Sequence, residues 1–212
     1  MAARGRFIVF EGIDGSGKST QITLLKERLE ALGVPVYLTR EPTDGPYGSM
    51  LHTIMTGRLD ACPETIAAMY VADRMDHIKN SRNGLLKKVE DGITVISDRY
   101  YFSSYAYQGA HMSMDYTIMA NSICADALRP DLNLFLDLTP EVSFARISQN
   151  RTDFEIYEKL DNLKNTRDKY FEAFEKLKDQ EKVAVIDADC TVEELSDKIW
   201  AQVAPMFKKA EE

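Results

Sequence analysis

Gly12, Gly17, Lys18 and Ser19 stand at the fixed positions of G-x-x-x-x-G-K-[ST], and that spacing carries a definite chemistry. A glycine-rich turn lets backbone N–H groups ring a polyphosphate, and the positive end of the helix that follows adds to the field. Gly12, Ile13, Asp14, Gly15, Ser16, Gly17, Lys18, Ser19 and Thr20 would form the cradle. Lys18 would reach the β- and γ-phosphates of a nucleoside triphosphate, and Ser19 would place its hydroxyl on Mg²⁺. The alternative is a chance match in an ordinary glycine turn. The flanking strand and helix patterns speak against it.

Further along stand Asp98, Arg99 and Tyr100. An acid at a strand end can organise the water shell of Mg²⁺, and an arginine there can grip a phosphate with two hydrogen bonds. A plain ion pair is the competing account. The stretch 102–109, FSSYAYQG, is aromatic and amide-rich. It suits recognition of a base by stacking and hydrogen bonding, and equally an ordinary loop-to-helix junction. Met69, Tyr70, Asp73 and Arg74 fall within one helical surface patch. Taken singly, Tyr70 reads as core and Arg74 as a solvated face. Arg146 and Arg151 flank a polar break at 148–153. That break reads either as a solvated hairpin or as a segment that closes over a bound nucleotide and excludes water.

Strands must bring these groups together. The run 7–10 reads as a buried strand, and Ile22, Leu25, Leu29 and Leu32 follow at helical spacing before a stop at Gly33. A second strand over 36–39 leads into Arg40-Glu41-Pro42 and a turn-rich stretch to Gly48, which spacing alone assigns to a surface turn. Helices are predicted over 48–56, 64–79 and 115–128, strands over 94–97, 132–138 and 183–186. Thr139-Pro140-Glu141 opens another helix, 154–178 reads as one long charged helix, and Thr191 with Glu194 forms a capping box for the last. Five strands alternating with helices predict an α/β fold with a mostly parallel sheet covered on both faces. No repeat, low-complexity tract or linker divides the 212 residues, so a single domain over 1–212 is expected.

The net charge of −8 speaks against a nucleic-acid partner, which needs a basic face. No apolar run approaches the roughly 18 residues of a membrane span. The basic start, Met1 to Arg6, runs directly into the first strand and gives no signal peptide. Cys62, Cys124 and Cys190 are few, odd in number and far apart, as expected of reduced thiols in a cytoplasmic protein without a cysteine metal site.

Five blocks together resemble the thymidylate kinase family over essentially the whole chain: FEGIDGSGKST at 10–20, TREP at 39–42, ADRMDH at 72–77, SDRYYFSSYAYQG at 97–109 and RPDLNLFLDLTPEV at 129–142. The P-loop alone names no substrate; the combination is specific. The resemblance implies the P-loop fold with strand order 2-3-1-4-5 and transfer of the γ-phosphoryl group of MgATP to dTMP. By position it implies that Asp14 meets the deoxyribose 3′-hydroxyl, and that Tyr70 stacks on thymine where the family usually carries Phe. Arg74 and Arg99 are implied to hold the dTMP phosphate. Ser103, Ser104, Tyr107 and Gln108 match the segment beside the base, and Tyr100 a residue that disfavours a ribose 2′-hydroxyl. Glu41, Pro42 and Met55 match residues bounding the pocket, and Tyr157 a tyrosine near the base. One group of the family carries its catalytic arginine in the P-loop, where this chain has Gly15. Arg146 and Arg151 fit the other group, with arginines in a lid, here about 146–157. Members are commonly homodimers.

Rival readings keep some of these motifs. A kinase for another nucleoside monophosphate keeps all the phosphate chemistry. A deoxynucleoside kinase needs a general base, for which Glu11 is the candidate. A guanine-nucleotide switch carries an Asn-Lys-x-Asp motif, which this sequence lacks.

Overall fold

The computed structural model describes residues 4–150 and 160–207. Strands β1 (Phe7–Glu11), β2 (Val36–Arg40), β3 (Thr94–Asp98), β4 (Leu132–Asp137) and β5 (Val183–Asp187) form one parallel sheet. Their order is β2-β3-β1-β4-β5, as the family resemblance implies. Helices α1 (Lys18–Glu30), α2 (Pro46–Met55), α3 (Pro63–Lys79), α4 (Leu85–Glu90), α5 (Tyr101–Tyr107), α6 (Met114–Ala127), α7 (Pro140–Asn150), α8 (Leu160–Leu177) and α9 (Val192–Val203) connect the strands.

Alternation along β1 divides the interior. Successive side chains of a strand point to opposite faces. Phe7 and Val9 enter a core with side chains of α3, α4, α5, α6 and α8, whereas Ile8 and Phe10 enter a second core with α1 and α9. Every β1 residue is buried, which a strand covered on both faces requires. Register then sets the site. Phe10 pairs with Asp98 on one side and Leu134 on the other, so the turn at Gly12 and the Asp98-Arg99 corner leave the sheet side by side.

Three segments differ from expectation. Residues 101–107 are a helix with every member buried; an element without a polar face gives no periodic signal. The polar break expected from Ser148 begins inside α7, which runs to Asn150. The Ser148 hydroxyl donates to the Phe144 carbonyl at 2.8 Å, so the polar side chain is accommodated within the helix. Leu32, in the predicted periodic series, lies beyond α1 and is 60% exposed. The long helix expected from 154 is described from Leu160 onward. The Thr191–Glu194 capping box is present with both reciprocal hydrogen bonds. None of the helices among the described residues is long and apolar enough to cross a membrane.

Candidate active site

The turn after β1 depends on backbone freedom. Gly12 adopts φ 141°, and a Cβ there would lie 2.7 Å from the Leu136 carbonyl oxygen, so no larger residue fits. The first helical turn of α1 has no side-chain cap; its open N–H groups are left for an anion. Helix α7 buttresses the turn through a hydrogen bond from the Ser143 hydroxyl to the Asp14 carbonyl.

Lys18 folds back over this turn. Its Nζ donates to the carbonyls of Gly12 at 3.0 Å and Ile13 at 3.2 Å. Burial, then the Arg99 charge, holds its pKa below the usual lysine value, against the pull of Asp98, Asp14 and Glu11. The Ser19 hydroxyl lies 3.4 Å from Asp98 Oδ2. Asp98 Oδ1 is buried without a hydrogen-bond partner among the described residues. A hydroxyl and an underused carboxylate are hard oxygen donors of the kind Mg²⁺ takes.

Arg99 follows at φ 71°, a left-handed conformation rare for a side chain of this size. Its backbone N–H is fixed by the Phe10 carbonyl at 2.9 Å. From there its guanidinium reaches Asp14 Oδ1 at 2.5 Å, the Gly12 carbonyl at 3.3 Å and the Ser103 hydroxyl at 3.2 Å. Burial pushes the Asp14 carboxyl upward, but the charges of Arg99 and Lys18 outweigh it and hold the group below the usual carboxylate range.

Arg74 is not on a solvated face; it is 1% exposed. Its Nε donates to Glu41 Oε2 at 2.7 Å. Its other nitrogens donate to Ser104 Oγ at 3.1 Å, the Tyr100 carbonyl at 3.2 Å and Asn121 Oδ1. Four of its five N–H groups are thereby engaged. Nor is the loop after β2 a plain surface turn. Glu41 and Pro42 are buried, His77 Nδ1 lies 3.0 Å from Glu41 Oε1, and Asp73 accepts from the Thr43 N–H and hydroxyl.

These residues enclose two connected spaces. One is a cleft of about 700 Å³ running from the P-loop past Arg146 to Ala188, Cys190, Thr191, Val192 and Leu195. The other is a narrower recess. All the predicted acceptor contacts among the described residues line the recess: Asp14, Glu41, Pro42, Met55, Tyr70, Arg74, Arg99, Tyr100, Ser103, Ser104, Tyr107 and Gln108. Asp14, Glu41, Pro42, Met55 and Arg99 belong to both spaces. Within the recess, the Tyr70 hydroxyl points at the Met55 sulfur at 3.3 Å, and the Tyr107 hydroxyl donates to Asp14. Gln108 is 3% exposed with Oε1 unpartnered among the described residues. The Tyr100 hydroxyl is turned away to the Leu128 carbonyl at 2.9 Å, so only its ring and backbone face the recess. Arg146 lines the cleft, with Nη1 3.5 Å from the Gly15 carbonyl. Arg151 and Tyr157 lie outside the described residues.

Glu11 is not available as a base. Oε1 accepts from the backbone N–H groups of Tyr100 and Ser103, and Oε2 from the hydroxyls of Ser103 and Tyr170. Burial raises its pKa, although each of those partners favours the charge. No local sequence signal marks Tyr170, which packs from α8 and comes within 3.5 Å of Arg99. His52, also passed over, lines the cleft with Nε2 buried and unpartnered among the described residues. Asn121 and His77 complete the missed set. Tyr170, Asn121 and His77 each act on a partner distant in sequence, which no local pattern announces.

The sequence profile of the family described as Thymidylate kinase matches residues 10–199. The chain is 38% identical over 206 residues to a probable thymidylate kinase of Pyrobaculum aerophilum, covering 96% of both chains. It is 34% identical over 213 residues to the thymidylate kinase of Caldicellulosiruptor saccharolyticus, covering 97% of this chain and 99% of the relative. It is 38% identical over 205 residues to the thymidylate kinase of Neisseria meningitidis, covering 92% and 94%.

Proposed function

Because the chain belongs to the thymidylate kinase family, we propose that it transfers the γ-phosphoryl group of MgATP to dTMP, giving dTDP and ADP. The observation that carries this reading is the shared wall. A cleft built on a phosphate cradle and a recess lined by aromatic, amide and arginine side chains meet at Asp14 and Arg99. Two phosphates bound on either side of that wall would stand close enough for direct transfer.

The chain's own residues have distinct tasks. The P-loop N–H groups and Lys18 receive the donor phosphates, Lys18 exchanging its two carbonyl partners for phosphate oxygens. Arg99 faces the acceptor phosphate. Arg74 contributes its one remaining N–H and otherwise holds the recess open. Asp14, spared protonation by its cationic neighbours, accepts from the sugar 3′-hydroxyl. Tyr70 stacks on the base, and Gln108 offers it an amide. No general base is required, because an ionised acceptor phosphate is already a nucleophile, and the four hydrogen bonds on Glu11 disfavour the deoxynucleoside kinase reading. Ser19 and Asp98 would hold Mg²⁺, which when bound neutralises charge on the transferring group. ADP release should be seen with dTMP, should fall well below that with dCMP, dGMP and AMP, and should be lost with thymidine or on chelation of divalent metal. Preference for another monophosphate would discard the thymine assignment of Tyr70 and Gln108.

The cationic complement for the transferring group is assigned to the lid arginines. Arg146 already stands over Gly15. Arg146→Ala and Arg151→Ala, measured separately, should identify at least one loss of about 10³-fold or more in kcat. Near-normal turnover in both would remove the protein from the lid-arginine group.

A homodimer is also proposed. Helix α3 packs between α2 and α6. On α6, Tyr116, Met119 and Ile123 are 48%, 60% and 57% exposed at one-face spacing, with Met50 of α2 exposed as well. Paired burial of such an apolar face is what association supplies. Sedimentation velocity should give a dimer, and Met119→Glu with Ile123→Glu a monomer; a wild-type monomer at micromolar concentration would end the proposal. The acidic net charge speaks against a nucleic-acid partner, local Lys18, Arg74 and Arg99 still serve small phosphates, and three free thiols suit the cytoplasm.

A further inference from the structure

Arg99 is held from two sides. On one side its Nη2 meets Asp14 Oδ1 at 2.5 Å. Asp14 is half-buried and lines both the cleft and the recess, so a ligand can reach it. On the other side Nη1 lies 3.2 Å from the Ser103 hydroxyl and 3.5 Å from the Tyr170 hydroxyl. Behind those two hydroxyls stands Glu11, fully buried, with Oε2 2.6 Å from Ser103 Oγ and 2.8 Å from the Tyr170 oxygen. The groups aimed at Glu11 are two backbone N–H donors and two hydroxyls. That set suits an ionised carboxylate, since a protonated acid would set its own donor against one of them. A hydroxyl that donates to Glu11 keeps its lone pairs for Arg99. Glu11 therefore acts on the guanidinium through two bridges, Ser103 from α5 and Tyr170 from α8. The Tyr170 ring packs on Phe135 with centroids 4.8 Å apart, which fixes where its hydroxyl points.

We propose that Tyr170 is a positioning residue for the acceptor phosphate: its hydroxyl, with that of Ser103, ties Arg99 to Glu11 and keeps the guanidinium on the phosphate while Asp14 serves the substrate sugar. The proposal rests on the reading of the recess as the acceptor site. On that reading Asp14 answers both to Arg99 and to the sugar hydroxyl, so the Arg99–Asp14 pair loosens when the acceptor enters. An arginine anchored by Asp14 alone would follow the carboxylate away from the phosphate or swing between conformers. Either change lowers the share of protein ready to bind. The Glu11 anchor does not compete with the substrate, because a fully buried carboxylate is out of a ligand's reach. Tyr170 touches no substrate atom and acts through Arg99.

Thymidine and dTMP differ by the phosphate alone, so the ratio of their Kd values separates the phosphate contacts from the packing of base and sugar. Both are titrated by calorimetry into the full-length protein. The wild type comes first: equal affinity for the two would take down the acceptor reading, and the proposal with it. Tyr170→Phe then removes one oxygen and keeps the ring on Phe135. It should weaken dTMP about tenfold, the low end for a hydrogen bond to a charged group because the 3.5 Å contact is long, and leave thymidine affinity unchanged. A merely structural role would weaken both ligands alike. Ser103→Ala removes the other bridge and should lower the preference for dTMP in the same direction. In an Arg99→Met background, Tyr170→Phe should change the ratio no further, since the group it positions is gone. A wild-type preference left intact by either hydroxyl variant, an equal loss for both ligands, or a full additional loss in the Arg99→Met background would each overturn the proposal while leaving the acceptor reading in place.

Discussion

Lys18→Met should lower kcat by about 10²- to 10³-fold, the loss seen when one preorganised donor to a developing charge is removed. The fold should survive. Lys18 is 7% exposed and makes no direct ion pair among the described residues; its Nζ is satisfied by two carbonyls of the turn it belongs to. Methionine keeps the length and apolar stem of the side chain and removes an ammonium whose burial is costly. The urea midpoint should therefore shift by no more than about 1 kcal/mol of stability. Turnover is the discriminating readout, because the proposed partners of the lysine in the transition state are the donor phosphates. Wild-type turnover in a folded Lys18→Met protein would take the residue out of the chemistry and leave the cradle as a binding element only.

Glu41→Ala should cost about 3–5 kcal/mol of stability, the range for a buried charge stripped of its partner. That is a large share of the roughly 5–15 kcal/mol that holds a domain together. Arg74 has nowhere to go. It is 1% exposed, its Nε bond to Glu41 is the only charged contact it makes among the described residues, and its remaining donors meet neutral oxygens. His77 loses its neighbour at the same time. The double substitution Glu41→Leu with Arg74→Met should recover most of the loss, since both charges leave together. Equal destabilisation in the single and double variants would show that the pair does not act as a unit. Residual Glu41→Ala protein should also bind dTMP weakly, because the recess loses the strut that positions Arg74.

The divisions between legible and illegible residues follow from the range over which each signal acts. The P-loop was legible because its geometry demands glycine, lysine and serine at set intervals within one turn. The capping box at Thr191 and Glu194 was legible for the same reason, since both hydrogen bonds close within a single helical turn. The five strands stood out as short apolar runs between turn signals, and the family resemblance supplied their order. Helix α5 did not stand out, because a segment buried on every side has no polar phase to set against an apolar one. Arg74 was misjudged alone for a different reason. A charged residue reads as solvated until its partners are known, and Glu41, Ser104 and Asn121 come from three other parts of the chain. Tyr170 meets Glu11 across a separation of 159 residues. Only the folded chain brings that contact into view.

The alternation along β1 has a consequence for how such a protein can change. On the proposed roles, donor recognition draws on the layer of α1 and α9, and acceptor recognition on the layer of α3 and α5, with the sheet as a partition between their interiors. Substitutions on opposite sides of that partition share few neighbours, so their effects should combine additively. Selection acting on one layer can retune which monophosphate is accepted while the triphosphate half is inherited intact. The architecture is thus modular within a single sheet, and new specificities can arise one layer at a time.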